Sequence, residues 1–159
     1  MKKDRVRFSI FCLVIYCLVS LPVSQIALAG YVPNDSCIYS FYTTDNVKNI
    51  LNASVINNGN SCIVSCDSKN AQNVRNSIDN ILGESIQINN PTKLVKDYIH
   101  NSIKQNYLFN EFVGETEIIY CYDQTLLRYI MVSEQKVNLQ IAFNKDFIVI
   151  GYPLILGSF

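Results

Sequence analysis

The sequence predicts an α+β fold in which an antiparallel β-sheet carries two amphipathic helices on one face. Two stretches place apolar residues at helical spacing, several others alternate with a period of two, and short polar turns separate the alternating stretches. Consecutive strands joined by short turns favour an antiparallel meander. Two helices with one apolar stripe each are best covered when both pack on the same side of that sheet.

The first 29 residues have the features of a secretory signal peptide. Basic residues in the first seven positions precede an apolar run from Phe8 to Leu21, and Ala27-Leu28-Ala29 supplies small residues just before Gly30. The apolar run is about 14 residues long, shorter than the roughly 20 that span a bilayer. We expect cleavage between Ala29 and Gly30 and a secreted, cell-envelope-associated protein. An uncleaved N-terminal membrane anchor is the alternative, and we expect contact with a membrane only through this segment.

Residues 30–159 are predicted to form a single domain, since no stretch has the composition of a linker and the length suffices for one core. These residues include nine Lys and Arg and twelve Asp and Glu, which gives a net charge of about −3. Four tyrosines on predicted strands could stack on bases, but a negative chain lacks the basic surface that nucleic-acid binding requires. We therefore expect no nucleic-acid partner.

The N-terminal part of this domain begins with three predicted strands. The first covers Cys37 to Thr43 and the second Ile50 to Ile56, although a helix over Asp45 to Leu51 is an alternative to the start of the second. Asn57-Asn58-Gly59-Asn60 predicts a tight turn, because Asn and Gly tolerate positive φ. Ser61 to Cys66 then returns as the third strand.

Two helices follow, separated by a short strand. The first is predicted over Lys69 to Leu82, capped by Asp67 or Ser68 and stopped by Gly83. A strand covers Ser85 to Ile88. The second helix has Asn90 as its cap and Pro91 at the first helical position, and it ends near Asn106. Its predicted apolar stripe is Leu94, Val95, Tyr98, Ile99, Ser102 and Ile103.

Strands dominate the C-terminal part. After a predicted linker from Asn110 to Gly114, strands are expected over Glu115 to Asp123 and Leu126 to Val132. A hairpin then follows, in which Val137, Leu139, Ile141 and Phe143 alternate with polar or small residues and Phe147 to Ile150 is apolar on both faces. Asn138 and Gln140 face the opposite surface of this hairpin, where they predict either a contact site or a solvated face.

Four cysteines remain after cleavage, namely Cys37, Cys62, Cys66 and Cys121. Export permits disulfides. Cys62 and Cys66 lie about 13 Å apart on one strand at ~3.3 Å per residue, too far to bond to each other. Two pairings stay open, Cys37–Cys62 with Cys66–Cys121 or Cys37–Cys66 with Cys62–Cys121. The alternative is that all four are buried free thiols.

No pattern of residues indicates a particular catalytic chemistry, cofactor or metal site. Glu115 and Glu117 could act as paired carboxylates, but the solvent side of a half-buried strand is the favoured explanation for both. A cysteine nucleophile requires a nearby base, and the only histidine, His100, lies beside the apolar stripe of its helix. The C-x3-C spacing of Cys62 and Cys66 is loose for zinc.

The C-terminal hairpin resembles that of a known family. Val137-Asn138-Leu139-Gln140-Ile141-Ala142, followed by a turn and Ile148-Val149-Ile150-Gly151-Tyr152-Pro153-Leu154-Ile155, is similar to the C-terminus of the YwmB-like proteins. These are exported proteins of spore-forming Gram-positive bacteria, grouped with the TATA-box-binding-protein fold. The resemblance covers about residues 61–159 and departs from the family at Tyr152, in the short turn and before Ser61. The resemblance implies a curved antiparallel sheet with helices on its convex side and a link to sporulation or wall processes, and it supplies no catalytic residues to carry over.

These observations together lead us to expect a non-enzymatic binding or interaction protein of the cell envelope with an unknown protein or envelope partner. Two other functions stay open. One alternative is a thiol-dependent envelope enzyme that uses one of the four cysteines. The other is a truncated remnant of a larger two-part family fold.

Overall fold

The structure is a computed structural model that describes residues 37–156. The predicted signal peptide, with its cleavage site between Ala29 and Gly30, lies outside the described residues. Within them the chain forms ten strands and two helices: β1 (Cys37–Thr43), β2 (Ser54–Asn57), β3 (Cys62–Asp67), α1 (Ala71–Asn76), β4 (Ile81–Asn89), α2 (Lys93–Ser102), β5 (Tyr107–Val113), β6 (Thr116–Cys121), β7 (Ile130–Val132), β8 (Gln135–Val137), β9 (Leu139–Phe143) and β10 (Phe147–Tyr152).

Eight of these strands form one sheet, in the order β2-β3-β1-β4-β10-β9-β6-β5, and β7 pairs with β8 as a separate ribbon. Every neighbouring pair is antiparallel. The α+β class and the antiparallel sheet are therefore confirmed. The strand order differs from a simple meander, because β1 lies between β3 and β4, and β10 lies between β4 and β9.

The two helices connect strands that are parallel to each other but not adjacent. Helix α1 carries the chain from β3 over β1 to β4, and α2 carries it from β4 over three strands to the edge strand β5. These two strands are four strand spacings apart, about 19 Å. The Lys96 ammonium of α2 donates to the carbonyls of Asn144 and Lys145 in the β9–β10 turn, both at 2.9 Å, and so fixes the helix above that hairpin.

Both helices cover the same face of the sheet, as predicted. The large core cluster contains the buried residues of both helices together with side chains from seven strands, whereas a smaller cluster on the opposite face contains no helical residue. We call these the helix face and the second face. Because strand side chains alternate between faces, the neighbours of each helix-face residue in a strand point to the second face.

Helix α1 is shorter than predicted, spanning Ala71–Asn76. Ala71 and Val74 are buried as expected, but Ile81 and Leu82 belong to β4, and Gly83 is a buried strand residue that pairs with Tyr42. The apolar spacing that suggested a longer helix arises because Ile81 continues the core after a turn. The expected caps, Asp67 and Ser68, do not occupy the N-cap position, which is held by Asn70. Asp67 Oδ1 accepts from the Asn70 N–H at 3.0 Å, one residue before the helix.

Helix α2 begins two residues later than predicted. Thr92 is its N-cap, and its hydroxyl accepts from the Val95 N–H at 3.3 Å. Asn90 instead has φ of +48°, which places it in a left-handed turn before the helix. Val95, Ile99 and Ile103 are buried as predicted, whereas Leu94 is 64% exposed.

Three predicted segments have different boundaries in the structure. The expected linker Asn110–Gly114 is mostly strand, since β5 runs to Val113 and Gly114 forms the turn with φ of +59°. The second strand is limited to Ser54–Asn57, and only the end of the expected strand Leu126–Val132 is extended, as β7.

The C-terminal hairpin is confirmed as β9 and β10 and lies in the interior of the sheet. Leu139, Ile141 and Phe143 face the helix side, as the alternation predicts. Val137 precedes a break in the strand and belongs to the second-face cluster. No helix among residues 37–156 is long and apolar enough to span a membrane.

Candidate functional site on the second face of the sheet

The second face has a covered part above β6, β9 and β10. Val137, Ile118 and Val149 are buried there, and Ile130 and Val132 of the β7–β8 ribbon pack against them. The C-terminal residues 153–156 cross β10 at Gly151, where a Cβ atom would overlap with backbone atoms of Leu154 and Ile155. Glycine at this position therefore permits the tail to lie directly on the strand.

Asn138 joins the covered part to the loop after β6. It is fully buried, its Oδ1 accepts from the Asp123 N–H at 2.7 Å, and its Nδ2 donates to the carbonyls of Asp123 and Leu126 at 2.6 and 3.3 Å. Asp123 is itself buried, and its carboxylate accepts from Asn106 and from the backbone and hydroxyl of Thr125. Asn138 thus satisfies backbone groups inside the fold.

Gln140 holds the C-terminal tail. Its side chain is 8% exposed, and its Oε1 accepts from the Ile155 N–H at 3.0 Å. Since neither Asn138 nor Gln140 offers accessible surface, we place no contact site at these two amides. Nearby, the Tyr120 hydroxyl donates to the Glu111 carboxylate, and burial, followed by that hydrogen bond, raises the pKa of Tyr120.

The remaining part of the second face, above β1, β3 and β2, is not covered by any described element, and we call it the open face. Strand β4 forms its border, where Ser85 is buried and the tail residues Pro153 and Leu156 lie beside Gly83. Ile38 is 41% exposed and Ile56 is 58% exposed, although both occupy regular strands. Tyr42 and Ile63 are partly exposed beside them. Because β1 lies in the interior of the sheet, the exposure of Ile38 shows that this strand lacks a covering layer on this side.

A row of serines crosses the open face. Ser54, Ser65, Ser40 and Ser85 are successive cross-strand partners on β2, β3, β1 and β4. The Ser40 and Ser65 hydroxyls are hydrogen-bonded at 2.8 Å. The same register row continues through Gly151, Gln140, Tyr120 and Phe109 on the other four strands. The covered and open parts are thus one continuous sheet surface, whose open part is lined by small hydroxyl side chains between aliphatic ones.

The open face carries almost no charge. The side chains that β1, β2 and β3 direct to this side are apolar or carry a hydroxyl group, with one carboxylate, Asp67, at the end of β3. Such a surface suits an uncharged partner surface with both apolar and hydrogen-bonding groups, and it offers no cation for phosphate. Sequence reasoning missed it, although Ser40, Ser65 and Ser85 alternate with core residues in their strands and so signal a polar side.

The four cysteines of the described residues form no disulfide, and all are buried on the helix face. Both predicted pairings are wrong, because each requires a bond between Cys121 of β6 and a cysteine of β3. Those strands are five positions apart in the sheet, about 24 Å at ~4.8 Å per strand. Burial, followed by the charge of a nearby Asp, raises the pKa of Cys66 to about 11 and of Cys121 to about 12. A raised pKa disfavours the thiolate that nucleophilic chemistry needs.

The other groups considered for chemistry lie apart from one another. His100 is exposed on α2, with its ring 5.8 Å from that of Phe143. Glu115 lies in the turn after β5, while Glu117 accepts from Asn110 at 2.7 Å. Tyr120 and Tyr152 lie on opposite faces of the sheet and form no common stacking platform.

Two shallow polar depressions of about 320 and 450 Å³ adjoin the loop after β1. Asp45 and Asn46 line both of them. Asp45 Oδ2 accepts from the Asn80 N–H at 2.9 Å, which ties this loop to the turn before β4. Among residues 37–156, no three His, Cys, Asp or Glu side chains converge as metal ligands would.

Comparisons with known proteins do not assign this architecture to a family. No protein-family model matches the chain, and no curated protein gives a significant match.

Proposed function

We propose that the chain is an exported, non-enzymatic protein that binds a protein partner at the cell envelope through its open face. The observation that carries this proposal is the exposure of Ile38 and Ile56, at 41% and 58%, on regular strands of the sheet. Exposed aliphatic side chains grouped on one face are typical of interaction surfaces.

The chemistry of the open face favours a protein surface over other envelope partners. Anionic wall polymers and lipid headgroups are bound through Lys and Arg, and the open face has neither. Serine hydroxyls flanked by aliphatic side chains match the mixture of apolar area and hydrogen bonds in protein interfaces. Since its one carboxylate, Asp67, lies at the end of a strand, the affinity should depend little on salt.

Export and family membership are supported by the sequence alone. The N-terminal pattern up to Ala29 favours secretion, and the hairpin motif favours a YwmB-like protein with a TATA-box-binding-protein-like fold. A single antiparallel sheet with both helices on one face is compatible with that fold type. Three residues of the motif, Asn138, Gln140 and Gly151, hold the loop after β6 and the C-terminal tail, so the motif indicates a common fold rather than a common ligand.

The proposal is tested by site-specific photo-cross-linking in cells that produce the protein. A photoreactive residue at Ile56 should give an adduct of one defined mass, and the control at Leu94, 64% exposed on the helix side, should not. Ser65→Arg, introduced together with the Ile56 probe, should abolish the adduct by adding charge and bulk to the open face. Equal adducts from both positions, or an adduct unaffected by Ser65→Arg, would contradict the proposal.

The place of action is tested separately by the intact mass and N-terminal sequence of the protein from culture medium and cell wall. We expect a chain that begins at Gly30. Full-length protein confined to the cytoplasm would rule out a function at the envelope.

A further inference from the structure

The two edges of the eight-stranded sheet differ in how well they are protected. At one edge, β2 is only four residues long and ends in the polar turn at Asn57. At the other, β5 is seven residues long, and no described strand lies on its outer side. An edge of this length presents a row of backbone N–H and C=O groups that can pair with another strand.

Strand β5 also lacks most of the features that prevent an exposed edge strand from pairing with another chain. It contains no Pro or Lys, and its only charged residue, Glu111, accepts the hydrogen bond from Tyr120. Its register irregularity lies at the start of the strand, between Tyr107 and Phe109, which leaves the rest regular. Phe112 is 70% exposed and Val113 is 55% exposed. Apolar side chains at an unprotected edge favour association.

The sequence of β5 is nearly symmetric about its centre. If two copies of β5 pair antiparallel with Asn110 opposite Asn110, the residues towards both ends of the strand form apolar pairs. Tyr107 lies opposite Val113, and Leu108 lies opposite Phe112. The charged Glu111 lies opposite Phe109, so no two like charges face each other directly. Cross-strand apolar pairs of this kind stabilise sheets, and a two-fold interface uses the same patch of both copies.

We propose that the outer edge of β5 is a homodimer interface, in which two copies pair antiparallel about Asn110 to form one continuous sheet. This interface is separate from the open face, which stays accessible in the dimer. Self-pairing favours a second copy of this chain as the partner, because it places apolar residues opposite one another at both ends of β5 and brings no like charges directly opposite each other.

The first test is the mass of the protein, in the form in which the producing cell yields it, by sedimentation over a hundredfold range of concentration. We expect a monomer–dimer equilibrium. Phe112→Lys should raise the dissociation constant at least tenfold, since an exposed lysine on an edge strand opposes pairing. Leu127→Lys is the matched control, because Leu127 is 92% exposed and lies away from the edge, and it should leave the equilibrium unchanged. A monomer at every concentration would overturn the proposal.

The register is tested by cysteine cross-linking. Asn110→Cys should form a covalent dimer under mild oxidation, because cross-strand Cβ atoms of directly opposed residues lie about 5 Å apart. Asn101→Cys, exposed on α2, should not. The four cysteines among residues 37–156 are buried and should give no background in the chain that begins at Gly30. A dimer that forms without cross-linking at Asn110, or that Phe112→Lys does not weaken, would show that another surface associates.

Discussion

At the scale of single residues, Asn138 lies at the break between β8 and β9 and replaces backbone partners that a continuous strand would supply. Its amide makes three hydrogen bonds to the backbone of Asp123 and Leu126 in a fully buried site. Asn138→Ala would leave these buried groups unsatisfied, and each costs about 1–3 kcal/mol. We expect a loss of about 2–4 kcal/mol in the free energy of unfolding, measured by urea denaturation. Asn101→Ala, at an exposed position, should change it by no more than about 0.5 kcal/mol. Equal small effects would show that the loop does not depend on Asn138.

Gly151 is the second residue whose role depends on a close contact. The backbone of Leu154 and Ile155 occupies the space that a Cβ atom would need. Backbone cannot move away as easily as the end of a side chain, so Gly151→Ala should displace the tail and cost about 1–3 kcal/mol. Gly83→Ala is the control, because its Cβ would lie 3.3 Å from the nearest atom, the Tyr152 carbonyl oxygen. The urea midpoint should fall more for Gly151→Ala, and the opposite order would contradict this account of the tail.

At the scale of elements, the structure distinguishes between Asn90 and Thr92 as the N-cap of α2, which the sequence alone does not. Thr92 accepts from the Val95 N–H, while Asn90 is left-handed with φ of +48°. Thr92→Ala should cost about 1 kcal/mol in the free energy of unfolding, and Thr92→Ser should restore most of it. Asn90→Gly should not be destabilising, since glycine adopts positive φ readily. A larger loss in the free energy of unfolding for Asn90→Gly than for Thr92→Ala would indicate that Asn90, and not Thr92, caps the helix.

The elements that the sequence predicts well are those with strong local signals. The first strand, the turn at Gly59 and the β9–β10 hairpin agree with the structure, because their alternation or turn residues are clear. The predicted stripe of α2 is confirmed at Val95, Ile99 and Ile103, whereas Leu94 and Ser102 are exposed. Helix α1 was predicted too long, since Ile81 and Leu82 match helical spacing as well as they match the start of β4. Strand β5 was missed because Asn110 and Gly114 suggested a loop, while its pairing with β6 is a contact that local propensity does not contain.

At the scale of the whole molecule, the order of the strands could not be read from the sequence. Local patterns predict neighbours along the chain, but β1 beside β4 and β4 beside β10 are long-range pairings fixed by the helix crossovers. The open face is a consequence of this order. The helices cover one side of the sheet, and the β7–β8 ribbon and the tail cover only the strands near Gly151 on the other side. The alternation of Ser40 and Ser65 with core residues indicates a polar side of β1 and β3, but it does not show whether another element covers that side.

The buried thiols give the molecule a predictable response to alkaline pH. Cys66 and Cys121 have pKa values raised to about 11 and 12 by burial, and Tyr39 has its pKa raised to about 12, chiefly by burial and then by Cys37 and Cys66. In the unfolded chain a thiol loses its proton near pH 8.5. Above that pH the unfolded state binds fewer protons than the folded state, so the free energy of unfolding falls as the pH rises. Each thiol should contribute a slope of at most about 1.4 kcal/mol per pH unit.

We therefore expect the urea midpoint to fall steadily between pH 8 and pH 10 at constant ionic strength. Cys121→Ala should reduce the slope of this fall even though it lowers stability at pH 8. Val64→Ala, at a buried and non-ionisable position on the same face, should lower stability at every pH and leave the slope unchanged. The thiols should also resist alkylation in the folded protein at pH 8, because the thiolate is the reactive form. A flat pH profile, or the same slope in Cys121→Ala as in the unaltered protein, would show that the thiols ionise as easily in the folded chain as in the unfolded one.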